Sequence, residues 1–547
     1  MSKCQSVKDL FFPILSASLL VVPFSHPRLW VFAWFGFVPL FFAIENKSKS
    51  RAFFLSYLTG LIFWLGTIYW LVYVTFIGLI LLVLYLALYF GIFGLFYASS
   101  FNLQASSSSQ KACGLRPVAC SQILHSAIFL PSLWVVLEYL RGHLLTGFPW
   151  ALLGYSQYKN LPIIQIADIT GAYGVSFLVM MGNVLIKEII CYRLYPYGHR
   201  QAIPLRAQAG YRQKIKKFLF LACGVWLVAC SYGYYKLHLS TVDYRLSTIK
   251  VSLIQANIPQ ELKWSPAAKE DIVNKYFRLT KEILQARPDL IIWPETAMQD
   301  YLIIGKQGYS NIDYLSNFVR ELKVPLLLGV VAVENEDFYN SAVLFSGEGG
   351  ILQRYDKLHL VPFGEYIPLR AVLPFLEAVV PIGDFTAGKE YTVFQFPNKS
   401  QTPNPNIQNK FSVMICFEDV FSELARGFVQ KGAGFLVNIT NDAWFGDTRE
   451  PYQHLSASVF RAVENRVSVL RAANTGVSCF ISPQGKIKTC VADKKGKETF
   501  IDGHITGNIF IEKVRPIYNK YGDVFVIACF IAVGCGIIIK LCLTLSS

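Results

Sequence analysis

Hydrophobic positions fall into two regimes along this chain. Long, nearly uncharged apolar runs occupy residues 10–24, 29–44, 53–74, 77–99, 123–140, 163–185, 218–235 and 524–539. A bilayer core about 30 Å thick asks for roughly 20 apolar residues per helix, so the pattern predicts about eight spans, the first two short. The stretch 52–110 carries no Asp, Glu, Lys or Arg and is too long for one crossing, so the reading divides it near residues 75–78. Between 245 and 514 the rhythm changes. Short apolar runs at 249–255, 290–293, 326–331, 342–345, 411–416, 435–439 and 477–481 read as strands. Amphipathic segments at 266–286, 311–322, 421–431 and 451–466 read as helices, and the Pro/Asn/Gln-rich residues 398–409 as a loop. The predicted organisation is a multi-pass α-helical membrane bundle over 1–244, an α/β domain over 245–514, and a last span with its tail over 515–547. No internal repeat of fixed period is present.

Composition agrees with a membrane protein that carries a water-facing part: 53% of the 547 residues are hydrophobic and the mean hydropathy is +0.39. The formal charge of +15 reads as a topology signal, not as a footprint for nucleic acid. Lys47, Lys49 and Arg51 follow the second run, Lys111 and Arg116 the fourth, and Arg193, Arg200, Arg206, Arg212, Lys214, Lys216 and Lys217 the sixth, whereas the alternate loops hold little more than Arg28, Arg141 and Lys159. Basic loops stay on the cytoplasmic side, so both termini are expected in the cytoplasm. The α/β domain is then outside, which in a bacterium means a multi-pass protein of the inner membrane with a periplasmic domain. Lys3 and Lys8 before an apolar run imitate a signal peptide, but no small-residue cleavage site follows and a second run comes at once, so the segment is read as retained. Twelve cysteines show no CxxC pair, and eight histidines show no HExxH, so neither a metal nor a cofactor is expected.

Three predicted strands lead into reactive side chains: Glu295 after 290–293, Lys357 after the segment ending Tyr355-Asp356, and Cys416 after 411–415. Strand ends at one edge of a sheet are where α/β domains build sites. A thiol is strongly nucleophilic only as thiolate, so Cys416 needs a base or a cation; Glu295 is suited to take the proton, and Lys357 to hold the thiolate and then an oxyanion. Each also has a plain structural reading: a buried cysteine, a turn carboxylate, a surface ion pair with Asp356.

Their surroundings carry more. Trp293-Pro294-Glu295-Thr296, Tyr355-Asp356-Lys357-Leu358-His359-Leu360-Val361-Pro362-Phe363-Gly364-Glu365 and Ile415-Cys416-Phe417-Glu418 resemble the Glu, Lys and Cys motifs of the nitrilase (carbon-nitrogen hydrolase) superfamily. Asn438-Ile439-Thr440-Asn441-Asp442-Ala443-Trp444-Phe445-Gly446, Gln453-His454, Gln255 to Gln260, Lys263-Trp264 and the stretch from Arg141 to Trp150 resemble, more narrowly, its membrane-bound branch, the apolipoprotein N-acyltransferase family. The resemblance implies an αββα sandwich and a periplasmic site. It further implies transfer of an acyl chain from a phospholipid to the α-amino group of a diacylglyceryl-cysteine on an apolipoprotein. In that setting Glu295 is the base, Lys357 the oxyanion donor and Cys416 the nucleophile, with Glu365 and Glu418 in support. Phe417 stands where the family often has Tyr.

Both substrates would carry long chains, so a lipid-facing opening is expected. Residues 366–383 are too apolar for an ordinary loop and too broken by proline to span, and read as an interfacial lid or as a buried part of the domain. Trp264, Trp444 and Phe445 line an acyl channel, hold the lid or belong to the core. Arg141 either meets a lipid phosphate or pairs with Glu138 one turn earlier. Two rivals share much of this pattern: a tethered hydrolase in which water is the acceptor, and a transporter with an external binding module. Ionisable residues are sparse in the runs, Glu138 and Asp168 being the main ones, which disfavours the transporter.

Overall fold

A computed structural model describes residues 2–101, 120–198, 205–239, 248–305, 308–367, 384–396, 410–511 and 515–545. The loop expected at 398–409 lies outside the described residues, as does all but the start of the expected lid at 366–383. The chain forms two units, one comprising 1–69, 76–239 and 523–547, the other 70–75 and 240–522.

The first unit is all helix. Among the described residues six stretches are long and apolar enough to cross a membrane: Pro27–Ile44, Lys49–Tyr73, Phe76–Ser99, Ala127–Thr146, Ala167–Cys191 and Val524–Cys542. Leu10–Ser25 is apolar but shorter, and the expected run 218–235 falls in the helix Leu205–Tyr234. The expected second span is not one helix. It is a 3-10 segment, Pro27–Trp34, and a short α-helix, Val38–Ile44, whose Pro39 lacks the N–H that would continue a helix inward. The uncharged stretch divides as the pattern predicts, with Lys49–Ile68 and Phe76–Phe101 separated by a 3-10 turn, Tyr69–Tyr73. Those two helices approach closely: a Cβ on Gly60 would lie 2.9 Å from the Phe90 side chain, and one on Gly94 2.6 Å from the Ala52 carbonyl oxygen. Small residues that let backbones meet are a standard way to pack helices in lipid, where burial alone gives no drive. Inside, Trp134 meets Phe37, Phe90 and Phe93 edge to face at 4.7 to 5.4 Å, while Phe37 stacks on Phe90 at 5.9 Å. Outside, Phe54, Phe76, Leu81, Phe220, Val228, Ile531 and Ile538 are exposed, as lipid-facing side chains should be.

The second unit is the αββα sandwich. Its strands are β1 Thr248–Gln255, β2 Leu290–Ile292, β3 Leu302–Gly305, β4 Gly308–Ser310, β5 Leu326–Glu334, β6 Asp337–Phe345, β7 Ile351–Asp356, β8 Phe394–Gln395, β9 Lys410–Ile415, β10 Phe435–Thr440, β11 Ser468–Ala473, β12 Cys479–Ile481, β13 Ile487–Cys490 and β14 Gly503–Phe510. One sheet runs β14-β1-β2-β5-β3-β4, with β6 and β7 added beyond β5; the other runs β13-β12-β11-β10-β9-β8. Contacts of β1 with β11 and of β6 with β9 set the sheets face to face. Helices Lys269–Glu282 and Asp313–Leu322 cover the first sheet with Ile272, Tyr276, Leu279, Leu315, Phe318 and Val319 packed around Trp293. Helices Ser422–Gln430 and Glu450–Asn465 cover the second. Because both faces of the central strands are covered, β2, β9 and β11 are buried almost throughout, and β2 and β9 read as continuous rather than alternating runs.

Candidate active site

β2 and β5 are parallel, β5 and β6 antiparallel, β6 and β7 antiparallel, so β2 and β7 end at the same edge of their sheet. Glu295 lies three residues beyond β2, Lys357 directly after β7, and Cys416 directly after β9 of the facing sheet. Glu295 and Lys357 are buried, and the charges of both bear on the Cys416 thiol. Lys357 in turn feels Glu365, Cys416, Glu295 and Glu418. The sandwich therefore gathers the three sequence-predicted groups and both supporting carboxylates into one cluster.

Asn340, on β6, bridges the Glu295 and Glu365 carboxyl groups. Its side-chain amide donates to Glu295 Oε1 at 2.8 Å and to Glu365 Oε1 at 2.7 Å; two acceptors on one atom fix that atom as the NH2. Its main-chain oxygen accepts from the Lys357 N–H at 2.9 Å. Lys357 Nζ lies 2.9 Å from both oxygens of Glu365, whose Oε2 also accepts from the Val361 N–H at 2.8 Å. These carboxylates more than offset the burial of the Lys357 ammonium and raise its pKa, so it stays charged. Burial and that ammonium push the neighbouring His359 imidazole down to about 4, so it is neutral.

Glu418 is entirely buried and acts as a knot. Oε1 accepts from the Tyr355 hydroxyl at 2.8 Å and from the Leu358 and His359 N–H groups at 2.7 and 3.1 Å; Oε2 accepts from the Ile415 N–H at 2.7 Å. One carboxyl thereby ties the Lys357 loop to the end of β9. Burial outweighs these donors and pushes it up to about 7 from 4.5. A raised carboxyl contributes stability that is fully present below its unfolded value and lost as pH rises through about 7. Glu418→Gln turns an NH2 toward donors and is expected to destabilise the protein by about 1 to 3 kcal/mol. It should also flatten the dependence of stability on pH between 4.5 and about 7, checked by thermal unfolding in detergent across that range.

Cys416 sits at φ 51°, a left-handed turn that a β-carbon adopts only when its surroundings insist. Its carbonyl oxygen accepts from Asn438 Nδ2 at 3.0 Å and lies 3.2 Å from His454 Nε2. Beneath both is Arg471, fully buried in β11. Nη1 donates to Asn438 Oδ1 at 2.8 Å; Nη2 donates to Asp442 Oδ2 at 3.0 Å and lies 2.7 Å from His454 Nδ1. A guanidinium has only donors, so the neutral His454 ring accepts at Nδ1 and carries its proton on Nε2, toward Cys416 O and Asp419 Oδ1, the latter at 2.8 Å; against burial and Arg471, Asp419 and Asp442 push the imidazole up to about 10. Asp442, Glu450 and His454 have ligand atoms within 4.8 Å of one another, the spacing of a metal site. Here the Arg471 guanidinium already supplies the positive charge, and burial together with the Asp442 charge pushes the Glu450 carboxyl well up, toward its neutral form. Burial and the Glu295 charge likewise push the Cys416 thiol well up, while Lys357 pulls it down. Cys416 is thus a thiol in the field of the Glu295 and Lys357 side chains.

The remaining sequence candidates divide. Phe417 is half-buried, edge to face with Phe421 at 5.3 Å. Trp264 and Trp444 are 43% and 49% exposed, which excludes a plain core role for either. Phe445 packs edge to face on Trp70 at 4.7 Å, and the Trp70 indole donates to Gln453 Oε1 at 3.1 Å, so Phe445 is part of a packed cluster. Arg141, in the first unit, differs from the expectation of a phosphate-facing fork. It is buried, donates to the Phe148 and Trp150 carbonyl oxygens at 2.8 and 2.7 Å, and lies 4.8 Å over the Trp64 ring. Its guanidinium clamps the following loop, because main-chain carbonyls turned inward need a donor.

Sequence reasoning gave no role to Lys263, Asn340, Asp442, His454 or Arg471. Asp442, His454 and Lys263 stood in quoted motifs, whereas Asn340 and Arg471 carried no local signal.

Two family models match the chain, the apolipoprotein N-acyltransferase N-terminal domain over residues 16–185 and carbon-nitrogen hydrolase over residues 250–507. Apolipoprotein N-acyltransferase of Geobacter metallireducens is 38% identical over 95% of this chain and 93% of its own length. That of Pasteurella multocida is 30% identical, again over 95% and 93%. Among solved structures, Saccharomyces cerevisiae Nit3, a member of branch 10 of the nitrilase superfamily, is 20% identical over 49% of this chain and 93% of its own, with a TM-score of 0.38. Near-complete coverage at such identity, with both domains matched, shows that the chain belongs to the apolipoprotein N-acyltransferase family and is an acyltransferase.

Proposed function

We propose that the protein N-acylates bacterial lipoproteins by a two-step exchange through Cys416, drawing the acyl chain from a phospholipid. In the first step Glu295 takes the thiol proton and the sulfur attacks the ester carbonyl. Lys357 faces the oxyanion, the C–O bond breaks, and the lysophospholipid leaves as an alcohol with the proton that Glu295 returns. In the second step the α-amino group of a diacylglyceryl-cysteine attacks the thioester, gives its proton to Glu295, and the C–S bond breaks to restore the thiol. Ping-pong kinetics follow from such a scheme.

The observation that carries the reading is the meeting of three strand ends, where a thiol pushed toward its neutral form lies in the field of one carboxylate and one retained ammonium. A neutral thiol needs a base at the moment of attack, and a charged lysine in a buried pocket is a preorganised oxyanion donor of the kind typically worth about 3 to 4 kcal/mol. Glu365, Asn340 and Glu418 keep Glu295 and Lys357 in position. Trp264, Trp444 and Phe417 are the exposed or half-exposed rings suited to acyl-chain contact. The basic-loop bias supports cytoplasmic termini and a periplasmic site in the inner membrane.

Incubating the purified protein with a labelled phospholipid and no acceptor, then measuring the intact mass, tests the scheme. The expected result is one acyl chain on Cys416, released on adding a diacylated lipopeptide and recovered on that peptide's α-amine. Release to water at the same rate without the peptide would make the protein a hydrolase instead.

A further inference from the structure

We infer that Lys263 is a second cationic positioning residue of the active site, holding the Glu295 backbone and biasing the charges of Glu295 and Cys416. The inference rests on the function just proposed. It starts from an inversion of the usual surface pattern. In the segment after β1, Leu262 is 48% and Trp264 43% exposed, while the lysine between them is 6% exposed. Lysine is among the side chains least often buried, and a short loop that turns its apolar residues out and its ammonium in is built around that ammonium.

The loop is tied down on several sides. Asn474 donates to the Ile258 carbonyl oxygen at 2.8 Å and accepts from the Ile258 N–H at 2.8 Å; Asn441 donates to Gln260 Oε1 at 2.9 Å; Gln299 donates to the Ser265 carbonyl oxygen at 3.1 Å. Successive turns, Leu262 N–H to Pro259 O and Ser265 N–H to Leu262 O, set the lysine inward. Its one side-chain hydrogen bond among the described residues runs from Nζ to the main-chain oxygen of Glu295 at 3.1 Å. That peptide precedes Thr296, whose φ is 42°, and a Cβ on the adjacent Gly329 would stand 2.6 Å from the Glu295 Cα. Lys263 therefore pins a strained turn that carries the Glu295 carboxyl.

The titratable groups that bear on Lys263 are Glu295, from the end of β2, and Cys416, from the end of β9; its own loop adds only the exposed Glu261. No carboxylate pairs with its ammonium among the described residues, and burial pushes it down to about 8. Lys357, by contrast, has Glu365 at 2.9 Å and stays charged. The site thus holds one permanent cation and one poised near neutral pH. While protonated, Lys263 favours carboxylate at Glu295 and thiolate at Cys416.

The test is the pH dependence of single-turnover acylation of Cys416, read by mass in the wild type, Lys263→Met and Lys263→Arg. The wild-type rate is expected to fall above about pH 8 as Lys263 loses its proton. Lys263→Arg should keep most of the rate and lose that alkaline limb, because a guanidinium stays charged. Lys263→Met should lose about 10-fold to 100-fold, as expected for a positioning residue, with its acidic limb moved to higher pH. Equal rates and identical limbs in all three proteins overturn the inference. So does a uniform loss in Lys263→Met with both limbs in place, which marks a merely structural lysine. Absence of any acyl group on wild-type Cys416 refutes the proposed function, a result distinct from either.

Discussion

Cys416→Ala is expected to lower single-turnover acyl transfer from phospholipid by about 10⁴-fold or more, because the thiol is the group that takes up the acyl chain in this scheme. Glu295→Gln keeps the hydrogen bond from Asn340 Nδ2, which lies 2.8 Å from Oε1, but removes the proton acceptor, and should cost about 10² to 10⁴. The pair then separates a shared step from two independent ones. If Glu295 acts only by serving the Cys416 sulfur, the double variant is no slower than Cys416→Ala alone, since groups that act as a unit are grossly non-additive. Rates come from quenched mixing with a labelled phospholipid, and intact mass locates the label. An acyl group bound covalently to Cys416→Ala, or a double variant slower than either by the product of both losses, contradicts the scheme in which Glu295 serves Cys416.

Much of this site was legible because its chemistry sits at strand ends, where local sequence is most constrained. Glu295 and Cys416 each follow a short apolar run, and β2 and β9 lie where those runs predict; Lys357 follows β7, whose Gln353, Arg354 and Asp356 keep it from reading as apolar, so only the segment ending Tyr355-Asp356 marked it. What escaped is what the pattern of apolar positions cannot encode. β11 carries Arg471 in its middle, so a run that is buried from Ser468 to Ala473 does not read as apolar, although both terminal nitrogens of the guanidinium are paired. β14, from Gly503 to Phe510, has glycines at both Gly503 and Gly507 and pairs along the whole of β1, a long-range match with no local signature. Asn340 has meaning only because antiparallel pairing of β6 and β7 sets it beside two carboxylates from elsewhere. For Arg141 two readings were open, a lipid phosphate and Glu138, and nothing local marks the role the structure adds, in which the loop after the helix turns two carbonyls inward and the guanidinium donates to both.

The largest expected loss of stability follows from Arg471→Met. Its guanidinium faces Asp442 at 3.0 Å and Asp419 at 3.4 Å, all three fully buried, and removing one partner of such a set leaves uncompensated charge. A cost of about 3 to 5 kcal/mol is expected. The sign of its pH dependence can be worked out. Arg471 holds the Asp442 carboxyl well below the usual carboxylate range, so in the wild type that group contributes stability present above its unfolded value and lost only in strong acid. Without the guanidinium, burial favours protonated Asp442, so the deficit of the variant should be greatest at neutral pH and shrink as pH falls toward about 4. Arg471→Lys keeps a charge but not the fork that reaches Asn438, Asp442 and His454 together, and should recover only part of the loss. Because Asn438 and His454 are the two side chains at the Cys416 carbonyl oxygen, folded Arg471→Lys should also acylate more slowly, with an unchanged requirement for Glu295. Unfolding followed by tryptophan fluorescence in detergent, from neutral pH to about 4, supplies the measurement. A deficit that grows toward acid would show that Arg471 is not what keeps Asp442 ionised.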